Sequence, residues 1–229
     1  MKGTLVNAAA VLSGSVVGLL LKRGMPERYQ HTIMQGLALA VGVIGLQMAF
    51  KTQNMLIVIL SVVMGAIIGE ALNLDALLAK FGDWLTVKLG SQYGNVGEGF
   101  VTASLVYCVG AMAVVGSIQD GLTGDASTLY AKSMLDGVSA VVFASTLGIG
   151  VALSSISVIV YQGSITLLAG AFSTLLTEQI ITELTAVGGV LIIAISILML
   201  EVKKIKVANL LPAIPAAVII TALWSMYIN

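Results

Sequence analysis

Cysteine, histidine and charged side chains are all scarce in this chain of 229 residues. The single cysteine, Cys108, excludes a disulfide framework and any zinc site built from cysteines. The single histidine, His31, excludes a histidine-rich metal site. Charged residues make up 10% of the chain, whereas a soluble domain carries about a quarter. So little charge cannot cover a surface that faces water.

The charge that is present is balanced, with 11 basic and 11 acidic residues. This balance excludes a protein that binds nucleic acid through a basic face, and it also excludes an acidic disordered chain. Hydrophobic residues make up 58% of the chain, and its mean hydropathy is +1.04. The composition therefore predicts an all-α integral membrane protein whose main surroundings are the lipid bilayer.

About eight apolar runs approach the roughly 20 residues that a helix needs to cross a bilayer. Because the runs are continuous rather than alternating, they favour transmembrane helices over barrel strands. Lysine and arginine concentrate in the odd-numbered loops, which predicts that those loops are cytoplasmic and that both termini lie outside. We treat residues 1–229 as a single membrane domain. The predicted spans are residues 3–21, 32–50, 55–72, 97–118, 133–153, 156–176, 184–200 and 207–227.

Residues 73–91 differ from these spans because charged side chains interrupt their apolar positions. Leu74, Leu78 and Leu85 belong to an apolar series with helical spacing, while Asp75 and Lys80 lie on other faces. The pattern is that of an amphipathic helix. It fits a helix that lies in the membrane interface, and it equally fits a loop helix that caps the bundle.

Two parts of the chain show weak sequence similarity to each other. Residues 34–48 resemble residues 135–149, and residues 57–72 resemble residues 155–170. A unit of three spans that occurs twice would enter the membrane from opposite sides, which is the inverted-topology repeat common in secondary transporters. On this interpretation the first repeat covers about 1–91, the second covers about 96–180, and a C-terminal hairpin covers about 184–229.

Two polar groups within the predicted spans are candidates for a solute or ion pathway. Lys132 and Asp136, near the start of the fifth span, are four residues apart and share one helix face. They are either an interfacial pair or a site at the mouth of a pathway. Gln162 and Thr166 form a polar strip in the sixth span, which must face protein or water. Such a strip either packs helices together or contacts substrate, and Asn209 carries the same ambiguity.

Residues 116–125, with the sequence GSIQDGLTGD, are interpreted as a loop in which Gly121 and Gly124 permit tight turns. Asp120 and Asp125 offer carboxylates there, but the calcium-loop pattern is missing, so we expect no metal. No catalytic set can be assembled around one histidine, so we expect neither an enzyme nor a cofactor. In the last span, Pro212 and Pro215 predict a kinked or broken helix.

Several of these segments resemble a bacterial membrane family catalogued as domain of unknown function 554. The similar segments are GTLVNAAAVLSGSVVGLLL at the start, GSIQDGLTGD, KSMLDG, LGIGV at 147–151, YQG at 161–163, AVGG at 186–189 and NLLPA at 209–213. The resemblance implies a bacterial inner-membrane location and a transport role, but it supplies neither a substrate nor functional residues. It nominates for testing Asp120, Gly121, Asp125, Lys132, Asp136, Gln162, Asn209 and Pro212.

These observations predict a small secondary transporter or channel for an ion or small polar solute, working as a homodimer. The alternative is a non-transporting scaffold or sensor subunit whose docking surface is the helix at 73–91. The two differ in the bundle interior, because only a transporter needs a polar path that water can reach. The residues predicted to line such a path are Asp136, Lys132, Gln162, Thr166, Asn209, Asp120 and Asp125.

Overall fold

The computed structural model describes residues 1–22, 26–77, 80, 84, 96–108, 111–171 and 176–228, and within these ranges the chain is helical without strands. The all-α prediction is therefore confirmed. A 3-10 turn, Val207–Leu210, precedes the last helix. The α-helices are α1 (Lys2–Lys22), α2 (Glu27–Ala49), α3 (Met55–Leu72), α4 (Val96–Cys108), α5 (Ala111–Thr123), α6 (Ser127–Leu147), α7 (Gly150–Leu167), α8 (Glu178–Met199) and α9 (Ala213–Ile228).

Five segments of the described chain are long and apolar enough to cross a membrane. They are α1, α3, α7, α8 and the segment Val207–Met226 that contains α9. The axes of α4 and α5 are bent by 61° relative to each other, and the two helices would form a sixth span if they cross the membrane together. The predicted count of eight is not confirmed, because neither α6 nor the whole of α2 is among these segments. One physical reason is that α6 carries the charged side chains of Lys132 and Asp136.

The chain divides into two compact units, and the first comprises Met1–Leu37 and Ala79–Ser173. Within it, α1 packs most extensively against α6 and also contacts α7, while α4 and α5 pack against α7. A Cβ on Gly14 would overlap the carbonyl oxygen of Gly137, and one on Gly18 would overlap that of Val141. The two glycines therefore allow the backbones of α1 and α6 to touch. Residue numbers rise together along this contact, so α1 and α6 run parallel.

Replacing Gly14 with alanine should destabilise the first unit by about 1–3 kcal/mol, because the added methyl group meets backbone rather than a movable side chain. Gly36 is the matched control, since a Cβ there meets nothing within 4 Å. The Gly36→Ala variant should be neutral or about 0.5–1 kcal/mol more stable. Thermal unfolding of the purified protein in detergent measures both. Equal losses in the two variants would contradict the close contact between α1 and α6.

The second unit comprises Ala38–Leu78 and Thr174–Asn229. Helix α9 packs against α3 and α8. Helix α3 runs antiparallel to the segment formed by the 3-10 turn and α9, so Gly65 contacts the backbone of Ala213 and Gly69 contacts the backbone of Asn209. The break predicted from the two prolines is present, since the 3-10 turn ends before Pro212 and α9 begins at Ala213. The core of the unit consists of Val58, Ala186, Val187, Leu191, Ala213 and Ala217.

The interpretation of residues 116–125 as a loop is wrong for most of its length. Helix α5 continues to Thr123, and of the two glycines only Gly124 has a positive φ, of 74°. A Cβ on Gly121 would overlap the carbonyl oxygen of Thr166, so this glycine permits helix contact rather than a turn. Glycine serves both purposes, and the sequence alone does not separate them. The predicted amphipathic helix at 73–91 lies mostly outside the described residues.

Candidate functional site

Six polar side chains of the first unit, here called the polar cluster, are buried among α1, α6 and α7. Each is at most 7% exposed. Hydrogen bonds between side chains connect them in two groups, which lie one turn apart on α1. The members are Thr4 and Asn7 on α1, Lys132 and Asp136 on α6, and Gln162 and Thr166 on α7.

Lys132 and Asp136 form the charged part of the polar cluster. The predicted pairing is confirmed, because Lys132 Nζ lies 2.5 Å from Asp136 Oδ2. Helix α6 begins at Ser127, six residues before the predicted start of the fifth span, so Asp136 is the tenth of its 21 residues. The prediction places the pair near the start of the fifth span, and the structure shows that Asp136 lies near the middle of its helix.

Asn7 connects the charged pair to Gln162. Its Nδ2 donates to Asp136 Oδ2 at 2.9 Å and, more weakly, to Gln162 Oε1 at 3.4 Å. The carboxylate can only accept, so it requires the NH2 group of Asn7 to face it. That NH2 group in turn requires the oxygen of Gln162. The orientations of both amides thus follow from the carboxylate.

These orientations leave two buried polar atoms without a partner among the described residues. They are Asn7 Oδ1, an acceptor, and Gln162 Nε2, a donor. Both residues are fully buried. A buried polar atom without a hydrogen bond costs about 1–3 kcal/mol, so a cluster that only held helices together would be expected to pair both.

One turn closer to the start of α1, the hydroxyl groups of Thr4 and Thr166 lie 3.4 Å apart. Beyond them, Asp120 Oδ2 accepts from the backbone N–H of Gly3 at 3.1 Å and lies 2.8 Å from the amino group of Met1. A carboxylate at a helix N-terminus is stabilised by the helix dipole. The structure therefore places predicted site residues Asp120, Thr166, Gln162 and Asp136 along the first two turns of α1.

Asp125, by contrast, is exposed and lies outside the polar cluster. Its Oδ1 accepts from the backbone N–H of Ser127 at 3.0 Å, and its Oδ2 accepts from Gln119 Nε2 at 2.8 Å. The hydrogen bond from the Ser127 backbone is the main reason that the pKa of Asp125 lies below its ordinary value. Asp125 thus caps the start of α6, and no contact to the polar cluster is described for it.

This cap predicts a pH-dependent contribution to stability. A carboxyl group whose pKa is lowered by folding stabilises the protein above its unfolded pKa, and this stabilisation is lost as the pH falls through the folded pKa. The Asp125→Ala variant should therefore melt slightly below the wild type at neutral pH, and this difference should shrink once the pH falls below 3.8. Thermal melts at about pH 7 and about pH 3 test this. Asp125→Asn, which keeps an acceptor, should show much less pH dependence of that difference.

Asn209 belongs to the second unit, where it fastens the end of α3. Its Nδ2 donates to Glu70 Oε2 at 2.6 Å, and its Oδ1 accepts from the backbone N–H of Asp75 at 2.7 Å. Glu70 also pairs with Lys206 at 2.7 Å, and this hydrogen bond raises the pKa of Lys206. Both hydrogen bonds of the Asn209 side chain thus join it to the end of α3 and the residues just beyond, which is a structural role.

Sequence reasoning missed Glu183, a fully buried carboxylate in the second unit. Its Oε2 accepts from the Thr52 hydroxyl at 2.6 Å, and its Oε1 accepts from the backbone N–H groups of Gln53 at 2.8 Å and Asn54 at 3.1 Å. The predicted seventh span starts one residue later, at position 184, which places Glu183 in the loop before it. In the structure the helix already begins at Glu178, so Glu183 lies within it. An acidic residue directly before an apolar run is the sequence signal that could have identified Glu183 as a buried helical residue.

The described residues thus define an all-helical membrane protein with a buried polar cluster. The chain belongs to the family described as Protein of unknown function (DUF554), whose profile matches residues 2–222. It is 34% identical over 227 residues to "Uncharacterized membrane protein YdfK" of Bacillus subtilis, with 96% of both chains covered. It is also 31% identical over 234 residues to "Uncharacterized protein YqgA" of Escherichia coli, with 98% of both covered. No solved structure shows significant similarity to it. The family resemblance is therefore confirmed.

Proposed function

We propose that this protein is a small secondary transporter or channel of the bacterial inner membrane, and that a small polar solute or ion passes the polar cluster. The observation that carries the proposal is the burial of a Lys–Asp pair and two amides among apolar helices. Ionisable side chains within membrane segments are costly, face the bundle interior and mark solute or proton pathways.

The unpartnered atoms of Asn7 and Gln162 support this function over a purely structural one. A structural cluster is most stable when every donor and acceptor is paired. A solute site needs the opposite, because groups that are already paired within the protein cannot bind a passing molecule. The polar cluster combines a rigid, paired part at Lys132 and Asp136 with one free acceptor and one free donor.

Helix directions within the first unit also support the proposal. Helix α1 runs parallel to α6, since Gly14 meets Gly137 and Gly18 meets Val141. It runs antiparallel to α7, since Thr4 meets Thr166 and Asn7 meets Gln162. In the predicted topology these helices are the first, fifth and sixth spans. Successive spans cross the membrane in opposite directions, so the first span is expected to be parallel to the fifth and antiparallel to the sixth. Two breaks, between α4 and α5 and before α9, resemble the broken helices from which transporter sites are built. The inverted repeat is part of this proposal.

A homodimer is also part of the proposal, although one argument for it is weakened. That argument is that stripes of small residues let the helices of two copies approach each other closely. Gly14 and Gly18 instead pack against α6, and Gly65 and Gly69 pack against the segment around Asn209 and Ala213. These stripes are thus used inside the chain, and a dimer would require another surface.

Cysteine accessibility tests the proposal directly. In a Cys108→Ala background, the substitution Ser133→Cys places a thiol at a buried position next to Lys132, and Thr166→Cys places one at a buried position within the polar cluster. Iodoacetamide, a small uncharged thiol reagent, should label both, because a thiol ionises and reacts only where water reaches it. The controls Leu135→Cys and Val160→Cys, at exposed apolar positions, should stay unlabelled because lipid covers them. If the two buried thiols stay unlabelled from both sides, the polar cluster only packs helices and the proposal is wrong.

A further inference from the structure

We propose that the solute recognised by the polar cluster is small, uncharged and polar, and that it carries both a hydrogen-bond donor and an acceptor. This inference rests on the transport function proposed above and narrows it to a substrate class. Its basis is the pairing of charges within the polar cluster together with the identity of the two atoms left unpaired.

The formal charges of the polar cluster cancel internally. Lys132 and Asp136 are its two charged members, and they are bonded to each other at 2.5 Å with side chains 8% and 9% exposed. A bound cation or anion would therefore bring an uncompensated charge into a buried site. The effective penalty for burying a charge in a protein is several kcal/mol even after relaxation. An uncharged solute avoids this penalty.

The fully buried side-chain atoms of the polar cluster that have no partner among the described residues belong to amides. They are Asn7 Oδ1, which can accept a hydrogen bond, and Gln162 Nε2, which can donate one. A solute with only acceptors leaves the Asn7 oxygen unpaired, and one with only donors leaves the Gln162 nitrogen unpaired. Each unpaired atom costs about 1–3 kcal/mol, so a site of this kind favours hydroxyl and carboxamide compounds that supply both.

The charged pair then acts on the solute indirectly. Asp136 holds the NH2 group of Asn7 at 2.9 Å, and this orientation turns the Asn7 oxygen away from the carboxylate. The same NH2 group faces the oxygen of Gln162, which directs the Gln162 nitrogen away from Asn7. Lys132 and Asp136 are therefore positioning residues in this proposal, whereas Asn7 and Gln162 contact the solute.

A flux measurement with the purified full-length chain tests the inference. The protein is reconstituted in vesicles of phosphatidylethanolamine and phosphatidylglycerol. Uptake of radiolabelled glycerol, urea and acetamide is compared with that of glycine, and currents are recorded with Na⁺, K⁺, Cl⁻ and phosphate. We expect uptake of at least one uncharged probe above that of protein-free vesicles, and no current with the ions.

The Gln162→Met variant removes the free donor, together with the oxygen that accepts weakly from Asn7 at 3.4 Å, while keeping a side chain of similar length. Uptake of the uncharged probe should fall about three- to tenfold, as the loss of one hydrogen bond predicts. The control Gln47→Met makes the same change at an exposed position of α2 and should leave uptake unchanged. Far-UV circular dichroism and gel filtration confirm that both variants are folded.

The outcomes separate this inference from the proposed function. Uptake of an uncharged probe that depends on Gln162 supports both. Cysteines at the polar cluster that react with iodoacetamide, together with ion currents or glycine uptake and no uptake of uncharged probes, would overturn the inference and leave the transport proposal standing. Labelling without flux of any uncharged probe overturns the inference as well. Unlabelled cysteines would remove the transport proposal and the inference with it.

Discussion

The Lys132→Met variant is expected to lose about 3–5 kcal/mol of stability, because it leaves the buried Asp136 carboxylate without its cation. Asp136→Asn should cost a similar amount, since it leaves the buried ammonium group unpaired. The double variant should lose far less, about 1 kcal/mol, because no buried charge remains and the amide oxygen introduced at position 136 still accepts from Asn7. Unfolding of the four proteins in mixed detergent micelles gives the full double-mutant cycle.

An exposed pair in the same chain provides the matched control. Lys206 and Glu70 lie 2.7 Å apart, with side chains 58% and 61% exposed. Water stabilises either charge alone there, so Lys206→Met should cause only a small loss. Comparable losses at Lys132 and Lys206 would contradict the burial of the first pair.

The double variant of the buried pair also separates structure from transport. If Lys132 and Asp136 only hold helices together, the refolded double variant should transport as well as the wild type. If they position Asn7 and Gln162 for a solute, transport should fall although stability is restored. The amide introduced at position 136 can turn either its oxygen or its NH2 group towards Asn7, so it no longer determines the orientation of that residue. A variant that is stable but transports poorly is the result that the proposed function predicts.

The Glu183→Leu variant should destabilise the second unit by about 2–4 kcal/mol. The substitution removes the acceptor of two backbone N–H groups and one hydroxyl in the turn before α3. Because this turn is only partly buried, water recovers part of the loss, which places the expected cost below the sum of three fully buried hydrogen bonds. The measurement is again unfolding in mixed micelles.

Two further variants sharpen this prediction. Glu183→Gln keeps an oxygen for the two N–H groups and should cost only about 1 kcal/mol. Glu178→Leu changes an exposed acid in the first turn of the same helix and should have little effect. If Glu183→Leu behaves like Glu178→Leu, the carboxylate does not hold the turn between α2 and α3.

The parts of the candidate site that sequence could predict are those set within one helix. Lys132 and Asp136 are one turn apart in any helix, so spacing alone predicts that they pair. Gln162 and Thr166 have the same spacing, which predicts that they share one face of their helix. Asp125 is predicted as a site residue because it is a carboxylate in an apparent loop, and Asn209 because it is a polar residue within a predicted span. Their actual partners, the N-terminus of α6 and the end of α3, depend on where the helices begin and end.

The connection through Asn7 was beyond such reasoning. Asn7 is separated in the chain by 129 positions from Asp136 and by 155 positions from Gln162. The connection therefore exists only because α1 lies against both α6 and α7. Glu183 was missed for a related reason. Its partners lie in a turn about 130 residues earlier, and nothing in its own surroundings in the sequence indicates them.

Composition and residue spacing were enough to predict a helical membrane protein, the positions of most of its helices, and the pairing of Lys132 with Asp136. These properties depend on composition and on contacts within one turn of helix, which are local. Only the tertiary structure decided that Gly14 and Gly121 serve helix contact, that Asn7 joins the charged pair to Gln162, and that one amide oxygen and one amide nitrogen stay unpaired. Those features arise from the packing of helices distant in the chain, where one choice of neighbour decides which polar atoms find partners.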